Sequence, residues 1–273
     1  MQQVHAHEEP TSEEIKQCCA MFYASDWAQQ LLGESYHPGG VALTERLGRL
    51  LDLGPGDRVL DVACGSGTSA LHLAALFGCQ VTGVDYSRDN IERARQKARD
   101  ADLVDRVTFQ HGDAEHLNYP TAAFDVVMCE CALCTFPDKP AATREFRRVL
   151  GAGGRVGISD VTRDGVLPPE LTTLFARSAC IADALAAEGY AALLTGTGFS
   201  DVHIEPHQDA AMEVIERVRL GLLGMQVMAG LGQPTPLSRT DLRRGLDLTK
   251  LVAQAARDGQ LGYTLVIARL PSA

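Results

Sequence analysis

Three cysteines within six residues are the first side chains in this chain whose type and spacing suggest chemistry. The segment VVMCECALCTFPDK holds Cys129, Cys131 and Cys134, where an apolar strand pattern gives way to a turn. Thiols in such a place can pack as small apolar groups, bind zinc, or hold a soft substrate as thiolates. The Cys-x-x-Cys spacing is half of a zinc site, but no second such pair accompanies it. A structural zinc would need Cys180 and the N-terminal cysteine pair as its other ligands.

A glycine loop supplies a second candidate site. The segment DVACGSGTSA follows a strand pattern and opens a helical one, and Gly65 and Gly67 fit a G-x-G-x-x-A fingerprint. Glycines there let the backbone come close to a nucleotide-like ligand. Asp85, at the end of the second strand, can accept hydrogen bonds from two ribose hydroxyls. These features suit NAD and S-adenosylmethionine equally.

Two further carboxylates separate these two cofactors. Asp61 lies four residues before Gly65, where it would face the ammonium of a methionine moiety and would repel a pyrophosphate. Asp113 follows the third strand and is placed to accept from an adenine amino group, with Ala114 beside the ring. The pattern therefore favours S-adenosylmethionine over the NAD of a Rossmann oxidoreductase.

Strands that alternate with helices must position these residues. From about residue 57 to residue 162, the strand patterns are RVLDVA, QVTGVDYS, RVTFQHGDAE, FDVVMCEC and GRVGISDVT. Helical patterns such as TSALHLAALFG, RDNIERARQKARDA and PAATREFRRVL lie between them, which predicts right-handed βαβ units and a parallel sheet. Two more strand patterns, DVHIEPH and YTLVIARL, follow later in the chain.

Helical segments interrupt this alternation at about residues 12–33, 163–198 and 209–260. We expect them to cover the carboxyl edge of the sheet, where open α/β sheets bind their ligands. The predicted organisation is an N-terminal helical cover (1–56), a cofactor-binding core (57–205), and a helical insertion with the final strand (206–273).

Charge and composition narrow the range of partners. The net charge of −10 argues against nucleic acid, which requires a basic face. No apolar run approaches the roughly 20 residues of a membrane span, and the polar start MQQVHAHEEP predicts no export signal. We therefore expect a cytoplasmic protein whose cysteines are thiols. The sequence does not predict an oligomeric state.

Asp61 to Gly67, Asp85 and Asp113 together resemble the class I S-adenosylmethionine-dependent methyltransferases. The resemblance covers roughly residues 57–205 and the last strand. It implies a doubly wound, seven-stranded, mostly parallel sheet of Rossmann-like type with its last strand antiparallel, and an enzyme of class EC 2.1.1. The cofactor-binding residues it implies are Asp61, Gly65, Gly67, Asp85, Tyr86, Asp113, Ala114 and Cys129.

The chain after the fourth strand is similar to the arsenite methyltransferases in the segments CALCTFPDK, LPPEL, ARSACIADAL and GYAALLTGTGF. In that family a cysteine ends the fourth strand and another follows about fifty residues later, which are the places of Cys131 and Cys180. The resemblance implies that both are catalytic and bind trivalent arsenic. The family's third cysteine is missing near SYHPGG, and Cys18 or Cys19 could take its role.

The two kinds of acceptor call for different chemistry. A thiolate-held metalloid attacks through a lone pair and needs no base, only alignment and a thiol reductant. A small organic acceptor that reacts at oxygen, nitrogen or carbon needs a base. The candidate bases are His37, His111, His116, Glu130 and Tyr190, although Tyr36 and His37 could instead close over the cofactor. A protein that binds the cofactor or a metalloid without catalysis is a further alternative.

Overall fold

All predicted strands are present in the computed structural model, which describes residues 10–173, 176–177 and 179–272. The described residues exclude 1–9, 174, 175, 178 and 273. The prediction that the chain start carries no export signal concerns the first of these groups. Residues 174, 175 and 178 belong to the predicted helical segment 163–198. The strands are β1 (Arg58–Val62), β2 (Gln80–Asp85), β3 (Val107–His111), β4 (Phe124–Glu130), β5 (Leu150–Arg163), β6 (Ser200–Pro206) and β7 (Leu261–Arg269).

The strands form one sheet in the order β3-β2-β1-β4-β5-β7-β6. The pairs among β1 to β5 are parallel, and β7 runs antiparallel to both β5 and β6. This arrangement confirms the predicted doubly wound, seven-stranded fold.

Helices cover both faces of the sheet. In chain order they are α1 (Ser12–Ala24), α2 (Asp26–Leu32), α3 (Gly40–Leu50), α4 (Thr68–Phe77), α5 (Arg88–Asp100), α6 (Lys139–Val149), α7 (Ala187–Gly196), α8 (Gln208–Gly230) and α9 (Arg239–Arg257). Successive strand residues point to opposite faces, so Val59 joins the core beneath α3, α4 and α5, while Leu60 joins the core beneath α6 and α7. Both faces of β1 are buried, which explains its continuous apolar run.

The N-terminal cover differs from its prediction in detail. The predicted helical segment 12–33 is two helices, because the Ser25 side chain accepts from the Ala28 amide and starts α2. α1 begins with a capping box, in which Thr11 and Glu14 satisfy each other's backbone amides. α3 has no counterpart among the predicted helices.

The later cover segments are only partly helical as predicted. Within the described part of residues 163–198, the structure has a 3-10 turn at Pro169–Leu171 and the helix α7. α8 and α9 confirm the two helical patterns of 209–260. They pack on α2 through a cluster that includes Leu31, Leu222 and Leu242, so the N-terminal and C-terminal covers meet. None of the helices in the described residues has the length and apolarity to cross a membrane.

Candidate active site

A cleft of about 1000 Å³ lies at the carboxyl ends of β1, β2 and β4, beneath α1. Most of the predicted cofactor residues meet there although they are far apart in the chain. Those that line the cleft are Asp61, Gly65, Asp85, Tyr86, Asp113 and Ala114, together with Cys131. The structure therefore assembles the predicted constellation at the expected edge of the sheet.

Asp85 holds the glycine loop in place from inside this cleft. One carboxylate oxygen accepts from the Gly65 amide at 2.9 Å, and the other accepts from the Ser87 amide at 2.8 Å. Gly65 has a φ of 53°, and a Cβ there would lie 3.2 Å from the ring of Tyr36. Burial raises the pKa of Asp85. Asp85 thus fixes the glycine loop, and the absence of a side chain at Gly65 leaves room for a ligand to approach the loop backbone.

Two residues of the predicted cofactor set face the core instead. Gly67, with a φ of 81°, precedes α4, and a Cβ there would lie 2.6 Å from Phe109 and 2.9 Å from Ala94. Cys129 is fully buried between Val62 and Ile158 of the neighbouring strands. Neither residue lines the cleft, so the visible role of both is packing, and their contact with a cofactor stays a prediction.

Asp61 places a buried carboxyl group in the cleft wall near two other carboxyl groups. The residue is 3% exposed, and one of its carboxylate oxygens has no hydrogen-bond partner among the described residues. Desolvation, together with the charges of Glu130 and Asp85, raises the pKa of Asp61 well above its usual range. A positively charged group would relieve this cost. The ammonium of S-adenosylmethionine is such a group, so the residues present fit the predicted cofactor.

α1 covers the cleft and makes polar contacts with its wall. Lys16 Nζ lies 2.7 Å from an Asp113 carboxylate oxygen and 2.5 Å from one of Glu115. Burial lowers the pKa of Lys16, but the bonds to these two carboxylates outweigh it and the net shift is upward. The Tyr86 hydroxyl donates to Glu13 at 2.7 Å. No motif in the sequence marks Lys16 or Glu13 as part of the site.

His37 belongs to a buried polar network at the cleft. Its Nδ1 donates to the Pro38 carbonyl at 3.1 Å, which leaves Nε2 to interact with its other neighbours. Nε2 lies 3.3 Å from the hydroxyls of Ser69 and Thr44 and 3.6 Å from a Glu130 carboxylate oxygen. Both His37 and Glu130 line the cleft.

The other three candidate bases lie elsewhere. His111 and His116 are exposed and do not line the cleft. Tyr190 is fully buried, and its hydroxyl donates to the Val161 carbonyl at 3.0 Å. The geometry leaves His37 and Glu130 as the candidate bases.

A second, larger cavity adjoins the cleft. Apolar side chains from the covers dominate its wall, including Trp27, Leu31, Leu171, Ile181, Val218, Leu222 and Leu248. Among the described residues, three line both spaces, and we name them the throat: Tyr23, Tyr36 and Cys131. Sequence reasoning missed this cavity, because residues from segments far apart in the chain enclose it.

Tyr36 is the unusual member of the throat. Its backbone has a φ of 56°, a conformation that costs free energy for any residue other than glycine. Its hydroxyl is buried and has no hydrogen-bond partner in the part of the chain that the structure describes. An unsatisfied donor at the junction of two cavities is available to a bound ligand.

The structure brings Cys131 and Cys180 together. The Cys180 thiol donates to the Cys131 carbonyl at 3.2 Å, and the Tyr23 hydroxyl lies 3.3 Å from Cys180 Sγ. Cys134 packs against the same pair. Hydrogen bonds from Cys131, Cys134 and Tyr23 lower the pKa of Cys180 well below its usual range. Within the described residues, no group of three or more His, Cys, Asp or Glu side chains is arranged to hold a metal ion.

Four other cysteines, Cys18, Cys19, Cys64 and Cys79, lie outside the cluster of Cys131, Cys134 and Cys180. Cys19 lines the cofactor cleft, whereas Cys18 lines neither cavity. Cys64 and Cys79 are buried, as expected of small apolar fillers.

Comparison with known proteins matches residues 53–217 to the family model described as a methyltransferase domain. The chain is 39% identical over 163 residues to 27-O-demethylrifamycin SV methyltransferase of Amycolatopsis mediterranei (strain S699), covering 55% of this chain and 59% of that protein. It is 33% identical over 196 residues to methyltransferase GfsG of Streptomyces halstedii, covering 72% and 64%. The match thus spans less than two thirds of the length of each relative.

Solved structures share the fold. The [4+2]-cyclase SpnF superposes with a TM-score of 0.74 at 24% identity, covering 97% of this chain and 98% of that chain. Phosphoethanolamine N-methyltransferase 2 of Haemonchus contortus, in complex with phosphomonomethylethanolamine and S-adenosylhomocysteine, superposes with a TM-score of 0.79 at 20% identity, covering 97% and 61%. At these identities the likeness concerns the fold alone.

Proposed function

Because this chain belongs to the class I S-adenosylmethionine-dependent methyltransferases, we propose that it methylates a bulky, largely apolar organic molecule. Membership of the family confirms the predicted enzyme class and cofactor. It does not support arsenite as the acceptor, and the organic acceptor that the sequence left as the alternative agrees better with the relatives.

The observation that carries this proposal is the large apolar cavity next to the cofactor cleft. Pockets for small organic molecules are concave and mostly apolar, with a few polar groups that set orientation. The cavity wall is mostly apolar, and the throat supplies the polar hydroxyls of Tyr23 and Tyr36. One relative is named for a rifamycin derivative that it methylates at oxygen. The cavity and this name together favour hydroxyl methylation of a large apolar molecule.

Each residue of the cleft has a role in this proposal. S-adenosylmethionine, when bound, supplies an electrophilic methyl group. Asp61 neutralises its ammonium, Asp85 accepts from its ribose and Asp113 accepts from its adenine. The covers exclude water from the cleft and hold the acceptor in line with the methyl group, which accounts for a large share of the rate.

A hydroxyl acceptor must also lose its proton. His37 is placed for this task, because Nδ1 carries its proton toward Pro38, so Nε2 is the unprotonated nitrogen and can accept a proton in exchange for its contacts with the Ser69 and Thr44 hydroxyls. Glu130, 3.6 Å away, stabilises the imidazolium that results. The unpartnered hydroxyl of Tyr36 orients the acceptor oxygen from the throat.

A thiolate-held trivalent metalloid is the second candidate acceptor. The observation that favours it is the contact between Cys131 and Cys180 at the edge of the throat. Both the cavity wall and the names of the relatives favour the organic acceptor instead.

An acceptor panel tests the proposal. The release of S-adenosylhomocysteine is measured with 27-O-demethylrifamycin SV, with phosphoethanolamine, and with arsenite plus glutathione. We expect turnover with the apolar, hydroxylated acceptor alone. Turnover that requires arsenite would overturn the proposal in favour of the metalloid.

Filling the cavity tests its role directly. Val218→Trp places a large ring into the apolar wall, so we expect kcat/KM for the acceptor to fall by about tenfold or more, with little change in cofactor affinity. Val104→Trp is the matched control, because Val104 is exposed outside both cavities. Equal activity of the two variants would remove the cavity from the proposal.

A further inference from the structure

Methylation of an organic hydroxyl includes no step that uses the cysteine thiols at or near the throat. Cys131, Cys134 and Cys180 pack in one cluster with Tyr23, although two of them are 49 residues apart in the chain. Cys131 has a φ of 50° and Cys180 a φ of 62°, so both backbones adopt a conformation that disfavours side chains. The fold therefore holds the two residues next to each other, with the Cys180 thiol on the Cys131 carbonyl, although both backbones are in an unfavourable conformation.

The three thiols are chemically unequal. Hydrogen bonds from its neighbours lower the pKa of Cys180, whereas the pKa values of Cys131 and Cys134 are raised. Lys139 adds a favourable positive charge near Cys180. One thiol of lowered pKa beside two thiols of raised pKa suits a nucleophile and its resolving partner.

The positions of Cys131 and Cys134 indicate which of them pairs with Cys180. Cys131 lines both the cofactor cleft and the apolar cavity, and Cys180 lines the cavity. Cys134 is buried and lines neither space. A bond between Cys131 and Cys180 would tie the end of β4 to the cavity wall at the throat.

We propose that Cys131 and Cys180 form a reversible disulfide, which closes the throat to the acceptor and leaves the cofactor cleft open. Hydrogen peroxide is the oxidant. The Cys180 thiolate attacks one peroxide oxygen, the O–O bond breaks, and the departing hydroxide takes a proton to leave a sulfenic acid and water. The Cys131 thiol then attacks the Cys180 sulfur, and a second water leaves. Overall, two thiols are oxidised and one peroxide is reduced to two waters.

The test begins with thiol chemistry on the full chain. Mild peroxide should remove two of the eight thiols, measured with a thiol reagent after denaturation, and dithiothreitol should restore both. Cys129, Cys131 and Cys134 share one tryptic peptide between Arg106 and Arg144. Fragmentation of the crosslinked peptide should therefore assign the partner of Cys180, and it should be Cys131.

Serine variants give a second assignment. We expect the crosslink to be absent in Cys131→Ser and Cys180→Ser and retained in Cys134→Ser, with binding of S-adenosylhomocysteine as the check on folding. Unchanged thiol titre after peroxide, or a crosslink that survives in Cys131→Ser, would overturn the proposal. A bond between Cys18 and Cys19 would also overturn it.

Only the effect on methyl transfer rests on the proposed function. Peroxide should lower transfer to 27-O-demethylrifamycin SV by about tenfold or more, while affinity for S-adenosylmethionine stays within about twofold. A crosslinked protein that loses cofactor affinity would overturn closure at the throat. Absence of transfer even in the reduced protein would instead count against the proposed acceptor, because the crosslink is measured independently.

Discussion

At the scale of single residues, Asp61 combines a functional role with a cost in stability. Its carboxylate is buried near two other carboxylates, and one oxygen has no partner among the residues described. Unsatisfied buried charge destabilises the unliganded protein, whereas the same charge stabilises a bound cation. Such opposition between stability and binding is common at functional sites.

Asp61→Asn should therefore change stability and binding in opposite directions. We expect the variant to bind S-adenosylmethionine about 1.5–3 kcal/mol more weakly in calorimetry, because a charge-assisted contact is lost. The unliganded variant should unfold at a higher temperature than the wild type. Asp125→Asn, at an exposed ion pair with Arg58, is the control and should leave cofactor affinity unchanged.

Asp160 makes a pH prediction possible. Burial raises its pKa to about 7, and the charge of Cys180 adds to the shift. The folded protein then binds a proton that the unfolded chain has released, so Asp160 should lower stability as pH rises from about 4 to 7. Relative to Asp160→Asn, the wild type should lose roughly 2–4 kcal/mol in urea unfolding between about pH 4 and pH 8. A pH-independent difference would contradict this assignment.

At the scale of elements, α1 acts as the cover of the cofactor cleft. It contacts the cleft through Lys16 and Glu13, and it contributes Tyr23 to the throat. The buried Ile15 and the ring of Tyr23, which contacts Tyr36 edge-on, add apolar packing to these polar contacts. A cofactor beneath α1 can leave when this helix moves.

Lys16→Met should accelerate that release. Without the ammonium, the carboxylates of Asp113 and Glu115 repel each other beneath α1, and we expect S-adenosylhomocysteine to dissociate about tenfold faster in stopped-flow measurements. Lys250→Met is the matched control, because Lys250 pairs with Asp247 at a site where both side chains are 72% exposed. Equal release rates in the two variants would show that the Lys16 contacts do not hold the cover.

The junction of the glycine loop with α4 depends on close packing at Gly67. Gly67→Ala should destabilise the protein by about 1–3 kcal/mol in denaturant unfolding, because its Cβ would overlap Phe109 and its φ is positive. Gly224→Ala, in the middle of α8 with no atom within 4 Å of the added Cβ, should instead stabilise by about 0.5–1 kcal/mol. Equal effects would show that packing at Gly67 is not the constraint.

At the scale of the whole molecule, the sheet, the N-terminal cover and the C-terminal cover enclose two adjoining spaces. α2 packs on α8 and α9, so residues of both covers build the wall of the apolar cavity. The division at residues 1–56, 57–205 and 206–273 stays a prediction.

Ligand binding should stabilise this assembly as a unit. At about 100 times its Kd, S-adenosylhomocysteine should add about 2.7 kcal/mol and raise the midpoint of thermal unfolding by about 5–10 °C. NAD should give no shift, since Asp61 would repel its pyrophosphate. A shift with NAD alone would contradict the assignment of the cleft.

The alternation of strand and helical patterns predicted a parallel sheet with a cofactor at its carboxyl edge, and the family resemblance implied seven strands with the last one antiparallel. Several of the strands, such as β1, β2 and β4, are short apolar runs with local boundaries, and right-handed crossovers leave few ways to connect them. Asp61, Gly65, Asp85 and Asp113 sit at strand ends, and the carboxyl ends of parallel strands meet at one edge. Local pattern and topology together were enough to group these residues.

Only the tertiary structure decided which side chains face the cleft and what lies beyond it. Spacing cannot distinguish Gly65, which borders the cleft, from Gly67, which packs on Phe109. The apolar cavity is walled by α2, α8 and α9 together, and such contacts depend on packing between segments about 190 residues apart. The proximity of Cys131 to Cys180 was expected from a family resemblance, but the apolar space beside them was not. Helix-to-helix packing over the sheet, which no local pattern encodes, determined the kind of acceptor that we propose.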